Sequence, residues 1–170
     1  MLRIFLLLLN AYLLVFIQSS LTSILLPNFL RPDLMLIWVA YLGAYGSLTE
    51  GAFLALFGAL LYDVFSGSPF GLFLFIYLVI FFTIKLVANF LIFGDSLLFQ
   101  WILVALAMIF QAFLLTAVPT ALEFHDHFSL PEFAWILPQI LITCAASWPF
   151  FRLWKKLQTL LRRESSEWVL

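Results

Sequence analysis

Two groups of residues in this chain combine types and spacing that could do chemistry. In EFHDHF, Glu123, His125, Asp126 and His127 carry the nitrogen and oxygen ligands that a zinc site uses. Two histidines one residue apart in a polar connection do not define a coordination geometry. The segment reads as an acidic, water-exposed loop, and no metal is assigned. In YDVFSGSPFG, residues 62–71, Asp63 closes a long apolar run and meets a Ser/Gly/Pro turn at once. A carboxylate there can pair with a cation or reach headgroup water from the end of a helix. The single thiol, Cys144, lies in an apolar run without a nearby histidine, which argues against a nucleophile and excludes an internal disulfide framework. There is no H-E-x-x-H and no glycine-rich phosphate loop. Neither catalysis nor a cofactor is expected.

The medium in which these residues work follows from composition. The chain has 170 residues, of which 65% are hydrophobic and 10% charged. A soluble domain averages about 45–50% apolar and about 25% charged. A domain of this size has too much surface to hide the excess, so lipid must solvate most side chains. The net charge of −1 leaves no basic field for nucleic acid.

The elements that position the polar residues are apolar segments at 4–26, 33–46, 50–65, 70–93, 97–122 and 132–154. A helix needs about 20 apolar residues to cross a bilayer. The second and third segments reach only about 21 and 24 Å, so they are thin spans or a pair bent inside the protein. The first lacks a signal-peptidase-like site and reads as a retained span. The expected fold is an all-α integral membrane bundle of about six transmembrane helices. It occupies residues 1–154, followed by a basic amphipathic tail, 155–170. Five of the eight Lys/Arg residues fall in RLWKKLQTLLRR, which fixes the C-terminus in the cytoplasm. Leu153, Leu157, Leu160 and Leu161 share one face there, so the tail is expected to lie on an anionic membrane surface. The Gly46–Glu50 break favours six spans over five, with both ends inside.

On a helical wheel of residues 51–65, Gly51, Ala52, Ala55, Gly58, Ala59, Tyr62 and Asp63 fall on one face, and the bulky residues fill the rest. Close approach over small residues drives helix association in lipid. The small face should therefore meet protein, and Phe53, Phe57 and Leu61 should meet acyl chains. In the six-span arrangement Arg31 lies on the same side as Asp63 and is its expected partner. Folding the third and fourth segments about their turn brings Glu50 and Lys85 to similar depth as a second expected ion pair. Gln18, Asn89, Gln100, Gln111 and Gln139 read as inter-helix hydrogen bonds. Trp135, Trp148 and Trp154 read as interfacial or packing residues. Pro138 and Pro149 are expected to kink the last span.

Residues 31–71, RPDLMLIWVAYLGAYGSLTEGAFLALFGALLYDVFSGSPFG, resemble the rod shape-determining MreD family. The resemblance rests on a Pro-Asp step into an apolar segment (Arg31, Pro32, Asp33), on Tyr41 in that segment, and on the Gly/Ala-rich third segment. Asp63 then precedes S-G-x-P-x-G, here Ser66, Gly67, Pro69 and Gly71. The resemblance implies a multi-pass protein of the bacterial inner membrane that acts as a scaffold of the cell-elongation machinery. Its implied partners are an MreC-like bitopic protein and, through it, MreB filaments and the wall polymerase–transpeptidase pair. The implied fold is similar to the substrate-binding subunits of energy-coupling-factor vitamin transporters. A small-molecule-binding transporter subunit is the alternative. The Ala-x-x-x-Ala motif usual in the first helix of such subunits is missing from NAYLLVFIQSSL.

Overall fold

The computed structural model describes residues 2–21, 31–67, 69–90, 96–121 and 133–167. The EFHDHF connection lies outside them, as do the side chains of Arg3, Trp135, Leu160, Leu161, Arg162 and Arg163. The described residues form helices α1 (Leu2–Phe16), α2 (Leu34–Tyr45), α3 (Leu48–Ser66), α4 (Leu72–Phe90), α5 (Leu97–Ala121) and α6 (Phe133–Glu167). A π-helical turn, Ile17–Leu21, extends α1. No strand occurs among these residues. The protein is all-α. Leu48–Ser66, Leu72–Asn89 and Leu97–Val118 are long and apolar enough to cross a membrane, whereas Leu7–Ser19 and Leu34–Tyr45 are shorter.

The short α2 is the axis of the bundle. Its sequence, LMLIWVAYLGAY, is apolar on every side, and a helix of that kind needs neighbours all round. Every residue from Leu34 to Gly43 is buried, and α2 touches each of the other five helices. Its brevity thus suits an interior helix.

Local chemistry sets the turns. Gly46 and Ser47 are extended, and the Ser47 side chain accepts the Glu50 N–H as the N-cap of α3. The chain folds back there: a Cβ added to Gly58 would meet the Met35 and Trp38 side chains at 2.4 and 2.7 Å. The pairing of 58 with 35 and 38 across the 46–47 break makes α2 and α3 an antiparallel hairpin. At the other end of α3, Gly67 takes the left-handed conformation (φ 68°) that closes helices without a Cβ penalty.

The buried face of α3 is Gly51, Leu54, Ala55, Gly58, Ala59 and Asp63, while Phe53, Leu56, Val64 and Phe65 are exposed. This departs from the wheel at Leu54, which is buried, and at Phe57 and Leu61, which are half-buried. The reason is that α3 packs against α1 and α4 as well as α2, so its outward arc is narrower than a single-neighbour helix would show. Helix α6 continues past residue 154. It runs unbroken for 35 residues through Pro138 and Pro149, about 52 Å at the helical rise. The basic segment is a continuation of the last helix and not a separate element.

Candidate functional site

Asp33 is the N-cap of α2, and its Oδ1 accepts the Leu36 N–H at 2.9 Å. That local bond is only the first of several. Gln18 Nε2, from the π-helical turn, donates to Oδ1 at 3.1 Å. Gln111 Nε2 of α5 donates to Oδ2 at 2.8 Å. The Tyr77 hydroxyl of α4 lies 3.4 Å from both oxygens. The Asp33 N–H donates to the Thr143 hydroxyl of α6 at 3.2 Å. Gln18 extends the network: its Oε1 accepts the Met35 N–H at 2.7 Å and its Nε2 also reaches the Tyr62 hydroxyl of α3 at 3.3 Å. Asp33, 5% exposed, therefore ties together the extension of α1 and helices α2, α4, α5 and α6, and Gln18 links it to α3. Its donors are all neutral. In a low-dielectric interior such bonds are strong, and leaving any of them unmade is costly.

Asp63 is buried too, but it is held by the chain that immediately follows. Its Oδ2 accepts the N–H groups of Gly71 and Leu74 at 3.0 and 3.1 Å, and Oδ1 accepts that of Phe73 at 2.9 Å. These are the donors that the first turn of α4 leaves without intrahelical partners. A carboxylate also suits the positive end of the helix dipole. The S-G-x-P-x-G residues build this clamp. Ser66 Oγ donates to the Asp63 carbonyl, Gly67 closes α3, the Pro69 carbonyl accepts the Leu72 N–H, and Gly71 (φ 93°) brings its N–H under the carboxylate.

The hydrogen bonds seen at Asp63 and Lys85 run to backbone groups. The Asp63 carboxylate is taken up by the three backbone donors at the start of α4. Lys85 Nζ donates to the Gly46 carbonyl. Lys85 and Glu50 lie at the same end of the bundle, on either side of the Gly46–Ser47 break. Tyr41 lies within the core, its ring 5.4 Å from that of Phe151 and 5.6 Å from that of Trp154. Pro32 and Arg31 are half-buried beside Asp33.

Gln18 and Gln111 are hub residues. Gln100 is buried, with an Oε1 that has no partner, whereas Asn89 is exposed. Four contributors had no distinctive sequence signal: Tyr62 and Tyr77 in their hub roles, Thr143, and Asn10, whose Oδ1 accepts the Trp154 Nε1–H at 3.1 Å. What marked them was only a polar atom inside an apolar run. At the Lys85 end, Arg152 stacks on Trp148 and Lys155 on Tyr45, each 4.3 Å from the ring centroid. Among the described residues, no three His, Cys, Asp or Glu side chains gather as a metal centre. The arrangement can clamp helices; it does not set a nucleophile beside a base. No protein-family model matches the chain, and neither does any curated protein or solved structure.

Proposed function

We propose that the chain is a non-enzymatic scaffold of the bacterial cell-elongation machinery, of the MreD type. It would sit in the inner membrane with six spans and both ends in the cytoplasm. It would dock an MreC-like bitopic protein and through it help organise peptidoglycan synthases. One observation carries this reading. The residues on which the resemblance rests, Asp33, Asp63 and the Ser66–Gly71 turn, are joints between helices, which supports reading the motif as part of a frame. With its carboxylates committed inward, the frame offers apolar helix faces outward, such as Phe53 and Val64 on α3 and Ile102, Leu106 and Phe113 on α5. A single span can pack on such a face by close van der Waals contact. The test is capture from membranes with a tagged chain, together with depletion. Recovery of an MreC-like protein and synthases, with rounding of depleted cells, is the expected result. Tight binding of a vitamin by the purified protein, without those partners, would support a transporter subunit instead.

A further inference from the structure

The geometry points to a monovalent cation site of the sodium class at the Asp33 hub, formed by Asp33 Oδ2 and Gln111 Oε1, with the Tyr77 and Thr143 hydroxyls in the same cluster. Two independent observations converge on it. The first is a carboxylate, 5% exposed, whose hydrogen-bond partners are Gln18, Leu36 N–H, Tyr77 and Gln111, all neutral. Buried charges in proteins are ordinarily paired or bound to a metal ion. The second is Gln111 itself. Its Nε2 is spent on Asp33 Oδ2, while its Oε1, in a residue only 8% exposed, has no hydrogen-bond partner. The amide that binds the carboxylate through its nitrogen thus keeps a buried oxygen without a hydrogen-bond donor.

Three species could relieve this, and they are not equivalent. A proton on Asp33 would neutralise the charge. To serve Gln111 Oε1 it would have to turn the amide round, and Nε2 would then lose its acceptor. One unpaired atom would be exchanged for another. A water molecule would satisfy Oε1 but leave the charge. A small cation between Oδ2 and Oε1 does both at once. The donor set is oxygen only, from a carboxylate, an amide and hydroxyls, which suits a hard cation. A single carboxylate balances one positive charge. Calcium takes six to eight oxygens, commonly several of them carboxylate, and would leave an excess charge here. The site lies where α2, α4, α5 and α6 meet, so occupancy would tighten the bundle. The inference stands independently of the scaffold reading, since it concerns only this chain's interior.

The test is thermal unfolding of the purified full chain in detergent, titrated with sodium chloride against choline chloride at constant ionic strength and pH. The expected result is a saturable rise in Tm with sodium alone, of about 5–10 °C at a hundred times the half-saturating concentration. Asp33→Asn should abolish the sodium dependence. Since that variant can also fail to fold, Gln111→Leu, which keeps Asp33 and its other donors, is the second arm and should abolish it too. Gln100→Leu removes the other buried, unpartnered amide oxygen, has no carboxylate among its bonds, and should leave the dependence intact. Equal Tm values in sodium and choline would overturn the site, as would full sodium dependence in Gln111→Leu. Stability that follows pH and ignores sodium would assign a proton to Asp33 in its place.

Discussion

Asp33 and Asp63 are both buried aspartates at helix ends, and they solve the same problem by opposite means. Asp63 draws its donors from residues 8, 10 and 11 positions ahead, all backbone N–H groups of one helix start. Asp33 makes one such local bond and then recruits side chains 15, 44 and 78 positions away, while its own N–H reaches a residue 110 positions away. The first is a clamp on one turn. The second is a hub whose partners exist together only when the whole bundle has assembled. A carboxylate in an apolar helical bundle can therefore act as a local or a global device, and its burial alone does not say which.

The largest effect that would test this contrast is expected from Asp33→Ala. It strips the acceptor from Gln18, Tyr77 and Gln111 together, and unmet buried donors cost about 1–3 kcal/mol each. The loss should be at least about 3 kcal/mol, read as thermal stability in detergent, with faster amide exchange in all six helices. Exchange confined to the first turn of α2 would reduce Asp33 to a second local cap. Asp63→Ala should cost less, about 1–3 kcal/mol, with accelerated exchange concentrated at Gly71, Phe73 and Leu74. Uniform acceleration across the bundle would erase the distinction. Gly67→Ala probes the same turn without touching the carboxylate. Nothing lies within 4 Å of the added Cβ, so only its positive φ is strained, and the cost should be about 1 kcal/mol. The smallest effect is expected from Asn10→Leu, which cuts a single long-range bond to Trp154, at about 0.6 kcal/mol. A loss larger than that of Gly67→Ala would show that one distant bond outweighs local backbone strain, and that the hub owes less to its number of partners than to the strength of each.

Much of the fold was legible because it is written in local patterns. The apolar segments marked the helices to within a few residues at most ends, since chain length and turn chemistry decide where a helix can stop. Gly46–Ser47 and Gly67–Gly71 were readable as breaks for the same reason. The small face of α3 was readable from Gly51, Ala55, Gly58 and Ala59, because helical spacing alone aligns them. The candidate site was legible only in part. Gln18 and Gln111 stood out as polar atoms in apolar runs, Asp63 as a carboxylate at the end of one, and Asp33 only as part of a Pro-Asp step into the next segment, but Tyr62, Tyr77 and Thr143 are common residues whose roles depend on what faces them.

The amino-acid sequence by itself determined that the chain is all-α, where its helices begin and turn, and which side of α3 is small enough for a neighbour to approach. Those features depend on contacts within about a dozen residues. Only the tertiary structure decided that α2 is the buried axis, that Asp63 serves the start of α4, that Lys85 binds the end of α2, and that one aspartate gathers partners from the π-helical turn, α4, α5 and α6. The physical reason is that each of those outcomes is a competition among acceptors and donors brought together by packing. Which one wins depends on distances that no local pattern contains.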